Sequence, residues 1–91
     1  MELSDYRARI DQIDRQLVEL FAQRMNTAAG IAAYKKEHGL PVLDPVRERE
    51  KLLDVAAQAP EDMRDYTASL YTMLFELSRC YQGRLLGSTS P

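Results

Sequence analysis

Ninety-one residues, with 12 Lys and Arg against 14 Asp and Glu and a formal net charge of −2, describe one small domain without the strongly basic balance of a nucleic-acid-binding arm. The single cysteine, Cys80, excludes an intrachain disulfide and points to a cytoplasmic chain. Met1 to Asp5 lacks a basic segment followed by an apolar run, so no signal peptide is expected, and no stretch approaches the ~18 apolar residues of a membrane span.

The first predicted element is a very long helix, from about Asp5 to about Glu37. No proline falls before Pro41; Ser4 or Asp5 is the candidate N-cap and Gly39 the candidate stop. Tyr6, Ile10, Ile13, Leu17, Leu20, Ile31 and Tyr34 form an apolar stripe at helical spacing. Position 24 lies on that stripe, ~20° round the helix from Leu17 and from Ile31, yet it holds an arginine. Lys35 returns to the same face, again within ~20°. Burying a lone charge costs several kcal/mol, so Arg24 on a core-facing line must be paired or must hold an anion.

Arg24 and Lys35 lie ~16 Å apart along the axis, so two long basic side chains leaning together can clasp a small anion. Arg7 lies ~25 Å from Arg24 and about a quarter-turn round, too far to share one small ligand on the same helix. In an antiparallel pair of chains, Arg7 of one falls beside the Arg24 and Lys35 region of the other. On spacing alone, Arg7 reads equally as a solvated first-turn residue, and Lys35 as a last-turn lysine facing the helix dipole.

The length of this helix bears on assembly. It spans ~50 Å, whereas a compact monomer of this size has a radius of gyration near ~12 Å and a diameter of ~30 Å. Its stripe would protrude into water unless a second copy covered it, which makes an antiparallel homodimer the expectation. The competing arrangement is a break near Gly30 that yields a compact four-helix monomer.

Leu40-Pro41-Val42-Leu43 reads as an extended connector. Asp44-Pro45 restarts helix, as an acidic N-cap followed by proline at the first helical position, and the second helix ends near Ala59-Pro60. Most of the charged run from Asp44 to Lys51 reads as a solvated face with i,i+3 and i,i+4 ion pairs. A third helix runs from about Asp62 to about Leu86, with Tyr66, Leu70, Met73, Leu74, Leu77 and Tyr81 on its apolar side, and Gly87 ends it. Ser78 and Gln82, four apart, interrupt an apolar line through Tyr71, Leu74, Phe75 and Leu85. They are either polar residues tolerated near a helix end or a pair presenting hydrogen bonds to one ligand. The expected class is all-α, three helices (very long, short, long), in one domain over residues 1–86 with a small, polar, disordered tail at 87–91.

No metal, cofactor or nucleophile motif appears. His38 is the lone histidine and reads as a helix-end residue, Cys80 reads as inert, and there is no Gly-rich phosphate loop. Such a set suits a reaction that needs only binding, orientation and electrostatics.

The pattern resembles the all-helical chorismate mutases from about Tyr6 to about Gln82. Carrying it are Arg7 in Tyr6-Arg7-Ala8-Arg9-Ile10-Asp11, Arg24 in Ala22-Gln23-Arg24-Met25, Lys35, Asp44-Pro45-Val46-Arg47-Glu48, and Ser78 and Gln82 in Glu76-Leu77-Ser78-Arg79-Cys80-Tyr81-Gln82. No single motif is specific; the ordered set is. The resemblance implies three-helix protomers intertwined into a helical-bundle homodimer with two shared sites, chorismate as substrate, prephenate as product, and a place in phenylalanine and tyrosine biosynthesis. It implies that Arg24, with Arg7 from the other chain, holds the two carboxylates, and that Ser78 binds a carboxylate as well. Lys35 and Gln82 would donate to the ether oxygen, while Glu48 and the backbone of Asp44 would accept from the ring hydroxyl. Arg47 would buttress Glu48 and the site wall. The isochorismate pyruvate-lyases are similar in fold and basic residues, but Arg47, Glu48 and Ser78 favour the mutase. A non-catalytic dimerisation module would not need Arg24 on the apolar face, whereas a regulatory mutase-like domain bound to another enzyme of the pathway also fits the sequence.

Overall fold

The computed structural model describes residues 1–87. Helix α1 spans Leu3–Glu37, α2 spans Pro45–Gln58, and α3 spans Arg64–Leu85, preceded by a single 3₁₀ turn at Glu61–Met63. The expected all-α class and the very long, short, long order are both present, and among the described residues there is no strand. Helix α1 runs through Gly30 without a break, which removes the four-helix alternative.

The helix ends follow from local chemistry. Neither Ser4 nor Asp5 is the N-cap of α1. Glu2 takes that position, and Asp5, one turn inside, accepts the Glu2 backbone N–H at 2.9 Å. At the other end Gly39 adopts φ 68°. Its N–H donates to the Lys36 carbonyl at 3.3 Å and the Leu40 N–H to the Lys35 carbonyl at 2.7 Å, a Schellman closure that glycine accommodates without strain. Helix α2 opens as expected: Pro45 occupies the first position and the Asp44 carboxylate accepts the Arg47 N–H at 3.0 Å. Helix α3 begins two residues later than expected because Glu61–Met63 first winds as a tighter 3₁₀ turn, closed by Met63 N–H donating to the Pro60 carbonyl at 2.8 Å. Gly87, at φ 70°, follows its end. Of the tail expected at 87–91, only Gly87 falls among the described residues.

Helix α3 lies between the other two and packs on both. Hydrogen bonds tie the C-terminal half of α1 to α3 and its C-cap, among them two near the end of α3. Tyr81 donates its hydroxyl to the Asn26 side-chain carbonyl at 3.3 Å, and Lys36 donates to the Leu86 carbonyl at 3.2 Å. The N-terminal half projects: Tyr6, Ile10, Leu17 and Leu20 are each more than half exposed, and the long dimension of the protomer is 54 Å. Only Ala32, Val55, Phe75 and Ser78 are buried among the described residues. The radius of gyration is 16.2 Å, against ~12 Å for a compact domain of this length. The packed part of the molecule is therefore the junction where the second half of α1, the connector, the start of α2 and the end of α3 meet.

Because Gly39 holds a left-handed conformation, Gly39→Ala should lower the unfolding free energy by about 1 kcal/mol at fixed protein concentration. Urea denaturation reads this directly. An unchanged midpoint would mean that the α1 terminus re-forms without the Schellman closure.

Candidate active site

A cavity of about 430 Å³ opens at that junction. Arg24 and Lys35 enter it from α1, Ser78 and Gln82 from α3, and Asp44, Arg47 and Glu48 from the first turn of α2. Arg24 and Gln82, 58 positions apart in sequence, line the same space. Arg7 does not reach it within the protomer: it sits near the far end of α1, as the ~25 Å spacing requires.

Arg24 is half-buried on the α1 stripe, and its surroundings account for its presence there. The guanidinium lies over the rings of Tyr71 and Phe75, 5.5 and 5.6 Å from their centroids, so the apolar face meets the cation with π density. Its Nη1 donates a long hydrogen bond, 3.4 Å, to the buried hydroxyl of Ser78. That hydroxyl in turn donates to the Met25 sulfur at 3.5 Å. A thioether is a weak acceptor, so the Ser78 proton is free to turn toward a stronger one, such as an incoming carboxylate.

The α2 side differs from one expectation: among the described residues the Arg47 side chain makes no hydrogen bond or ion pair with Glu48. Neighbours in sequence point about 100° apart round a helix and do not face each other. Arg79 from α3 makes those contacts: its Nη1 donates to both Glu48 carboxylate oxygens, at 2.7 and 2.6 Å. Arg47 instead donates its backbone N–H to the Asp44 cap, and its side chain lines the cavity. The Asp44 carbonyl, expected to accept from a ligand, already accepts the Glu48 N–H at 3.1 Å, which leaves it one lone pair.

The charge balance of the cavity is the decisive feature. Lys36 is engaged with the Leu86 carbonyl and Arg79 with Glu48. Among the described residues, no carboxylate lies within 4.0 Å of the charged nitrogens of Arg24, Lys35 or Arg47. Arg24, Lys35 and Arg47, with Lys36 held only by a neutral carbonyl, thus line one cavity with no protein anion within 4.0 Å among the described residues. Beside them stand two engaged carboxylates, Asp44 in the α2 cap and Glu48 paired with Arg79, with a buried hydroxyl and a neutral amide. Such a set has the chemistry to pair a small polyanion that also carries a hydroxyl donor.

A family model described as chorismate mutase type II matches residues 6–83. The chain belongs to this family. Among curated relatives, a protein named chorismate mutase from Methanocaldococcus jannaschii is 38% identical over 48 residues, covering 53% of this chain and 48% of that protein. A T-protein of Haemophilus influenzae is 44% identical over 46 residues, covering 50% of this chain and 12% of the relative. A T-protein of Enterobacter agglomerans is 37% identical over 51 residues, 56% of this chain and 14% of the relative. The matches thus span about half the length of one relative and a small part of the other two. No solved structure matches the chain.

Several cavity residues are not legible as such in the sequence. Arg79 looks like one more surface charge, although its place three residues before Gln82 puts it within ~60° of that side chain and signals the same face. Val42 and Leu43, read as connector, form part of the cavity wall, and Phe75, read as core, meets both Arg24 and the cavity. Among the described residues no His, Cys, Asp and Glu group is arranged to hold a metal ion, and no helix is long and apolar enough to cross a membrane.

Leucine at position 24 would complete the apolar line of α1, so Arg24→Leu should stabilise the protein by roughly 0.5–1 kcal/mol. A urea midpoint that falls on this substitution would show instead that the guanidinium is a structural group held by Tyr71, Phe75 and Ser78.

Proposed function

We propose that this chain is a chorismate mutase, converting chorismate to prephenate by a [3,3] rearrangement in the formation of phenylalanine and tyrosine. The observation that carries the reading is the trio of cations without protein anions, Arg24, Lys35 and Arg47, facing Ser78, Gln82 and Glu48 across one cavity. Chorismate is a dicarboxylate with a ring hydroxyl and an ether oxygen, and one carboxylate, the hydroxyl and the ether oxygen each have a complement in that set.

The reaction is intramolecular and calls for neither nucleophile nor cofactor. The site has to hold a flexible molecule in its folded, near-attack conformer and to stabilise charge as the C–O bond breaks. Arg24 and Ser78 hold a carboxylate, and Glu48 accepts from the ring hydroxyl with the Asp44 backbone beside it. Arg47 supplies positive charge at the wall. Lys35 and Gln82 donate to the ether oxygen, which gains negative charge in the transition state, so their bonds strengthen as the barrier is climbed.

The second carboxylate falls to Arg7 of a second copy. Support comes from the exposed stripe on the first half of α1 and from the exposed Tyr66, Leu70 and Met73 of α3, apolar surface of the kind a dimer buries. Paired antiparallel, two α1 helices bring each Arg7 toward the other chain's cavity. We read the location as cytoplasmic from the lone cysteine. A match that covers 12% of a T-protein is compatible with this fold also working beside a partner enzyme of the same pathway.

Purified protein should consume chorismate, followed by absorbance, and yield prephenate; Arg24→Ala should lower kcat/KM by about a hundredfold or more. Release of pyruvate from isochorismate, with no prephenate from chorismate, would reassign the activity. The shared site has a sharper test. Arg7→Ala and Arg24→Ala chains are each impaired, but mixing them equally and allowing exchange leaves about a quarter of all sites with both arginines intact. Activity should recover to that level, and no recovery would mean that each site is built from one chain.

The pH dependence follows from Gln82. An amide donates a hydrogen bond without having to bind a proton, and His38, whose Nδ1 lies 2.8 Å from the Tyr34 carbonyl, does not line the cavity. Between pH ~6 and ~8 the rate should stay within about twofold. A tenfold fall across that window would sink the assignment of Gln82 as the donor.

A further inference from the structure

We infer that Arg79 is a positioning residue: it keeps the Glu48 carboxylate out of the cavity's cation cluster and holds it as acceptor for the ring hydroxyl of the ligand. The inference rests on the mutase reading and deepens it.

Glu48 is the one carboxylate in the cavity whose oxygens are not committed to a helix cap, since Asp44 caps α2. It shares the cavity with Arg24, Lys35 and Arg47, none of which has a carboxylate partner among the described residues. A flexible glutamate in that position would be drawn to those cations, and by pairing with one it would occupy the place of a ligand carboxylate. Arg79 prevents this by offering a stronger claim. Its Nη1 bridges both Glu48 oxygens at 2.6 and 2.7 Å, linking α3 to the first turn of α2 across 31 residues of sequence.

The contact is made by one nitrogen rather than by a two-pronged fork, so each carboxylate oxygen keeps lone-pair capacity toward the cavity. The side chains are 44% and 31% exposed, and an ion pair this open contributes little to folding. Its effect is on where the carboxylate points. Arg79 also lines the cavity, so a direct contact with ligand is the rival explanation, and the two differ in how they depend on Glu48.

The test is a double-mutant cycle in the full chain, read as the calorimetric Kd for prephenate, which carries two carboxylates and a ring hydroxyl and is not consumed. Arg79→Ala should weaken binding about tenfold when Glu48 is present and less than about twofold in a Glu48→Gln background, because a neutral amide no longer competes for the cations. Arg79→Lys should recover most of the loss, since an ammonium can copy a single-nitrogen contact. In turnover of chorismate, Arg79→Ala should raise KM by a similar factor and leave kcat within about threefold. Equal losses in both Glu48 backgrounds would mean that Arg79 touches the ligand itself, and an unchanged Kd in the single variant would mean that the pair is surface decoration; either overturns the inference. A native chain that binds prephenate but does not convert chorismate overturns the mutase activity while the cycle still reads the role of Arg79. One that does neither removes both.

Discussion

A guanidinium on the apolar line of α1 is the constraint around which the packed half of this molecule is arranged. Leucine at position 24 would complete the stripe and lower the free energy of the fold. Arginine there has to be made tolerable before any ligand arrives, and the chain does this with soft partners: the faces of Tyr71 and Phe75 and a long hydrogen bond to Ser78. None of these is an anion. The cation is thus kept ordered without being neutralised, which is the state an anion receptor requires. A carboxylate in place of Ser78 would give a better-satisfied protein and a blocked site.

The same economy governs the rest of the cavity. Of its basic residues only Arg79, at Glu48, has a carboxylate partner among the described residues; Lys36 donates to the neutral Leu86 carbonyl, and Arg24, Lys35 and Arg47 line the cavity without an anion. The carboxylates divide likewise, Asp44 as a cap and Glu48 in its pair with Arg79. Sites of this kind need rigid walls, because an unpaired charge will find any mobile counter-charge within reach. The Schellman closure at Gly39, the Asp44 cap and the Tyr81 to Asn26 bond each fix the end or the edge of an element that carries a cavity residue.

How much of this was legible in the sequence depended on whether the governing physics was local. The helices were, because an apolar stripe, Asp44-Pro45 and Gly39 act within a turn or two of themselves. The start of α1 was misplaced because Asp5 caps from the third position rather than the first, and both arrangements use the same residues. The 3₁₀ turn at Glu61–Met63 was missed because its sequence is equally good for the first turn of an α-helix. Seven of the eight candidate site residues meet in one cavity, and the eighth, Arg7, stands apart as its spacing along α1 dictates. The partner of Glu48 was assigned to Arg47 instead of Arg79, since a contact between residues 31 apart is set by the crossing of α2 and α3 and leaves no periodic trace.

The near absence of a core in the single protomer has a consequence for the protein in a cell. With Ala32, Val55, Phe75 and Ser78 as its buried residues, one chain has little to hold it together unaided. If pairing supplies the rest, as in the dimer proposed above, folding and association are one event, and the apparent stability rises with the logarithm of the amount of protein present. Expression level then becomes a thermodynamic variable. A cell making little of this chain would hold more of it unfolded, within reach of proteases, and activity would fall faster than abundance.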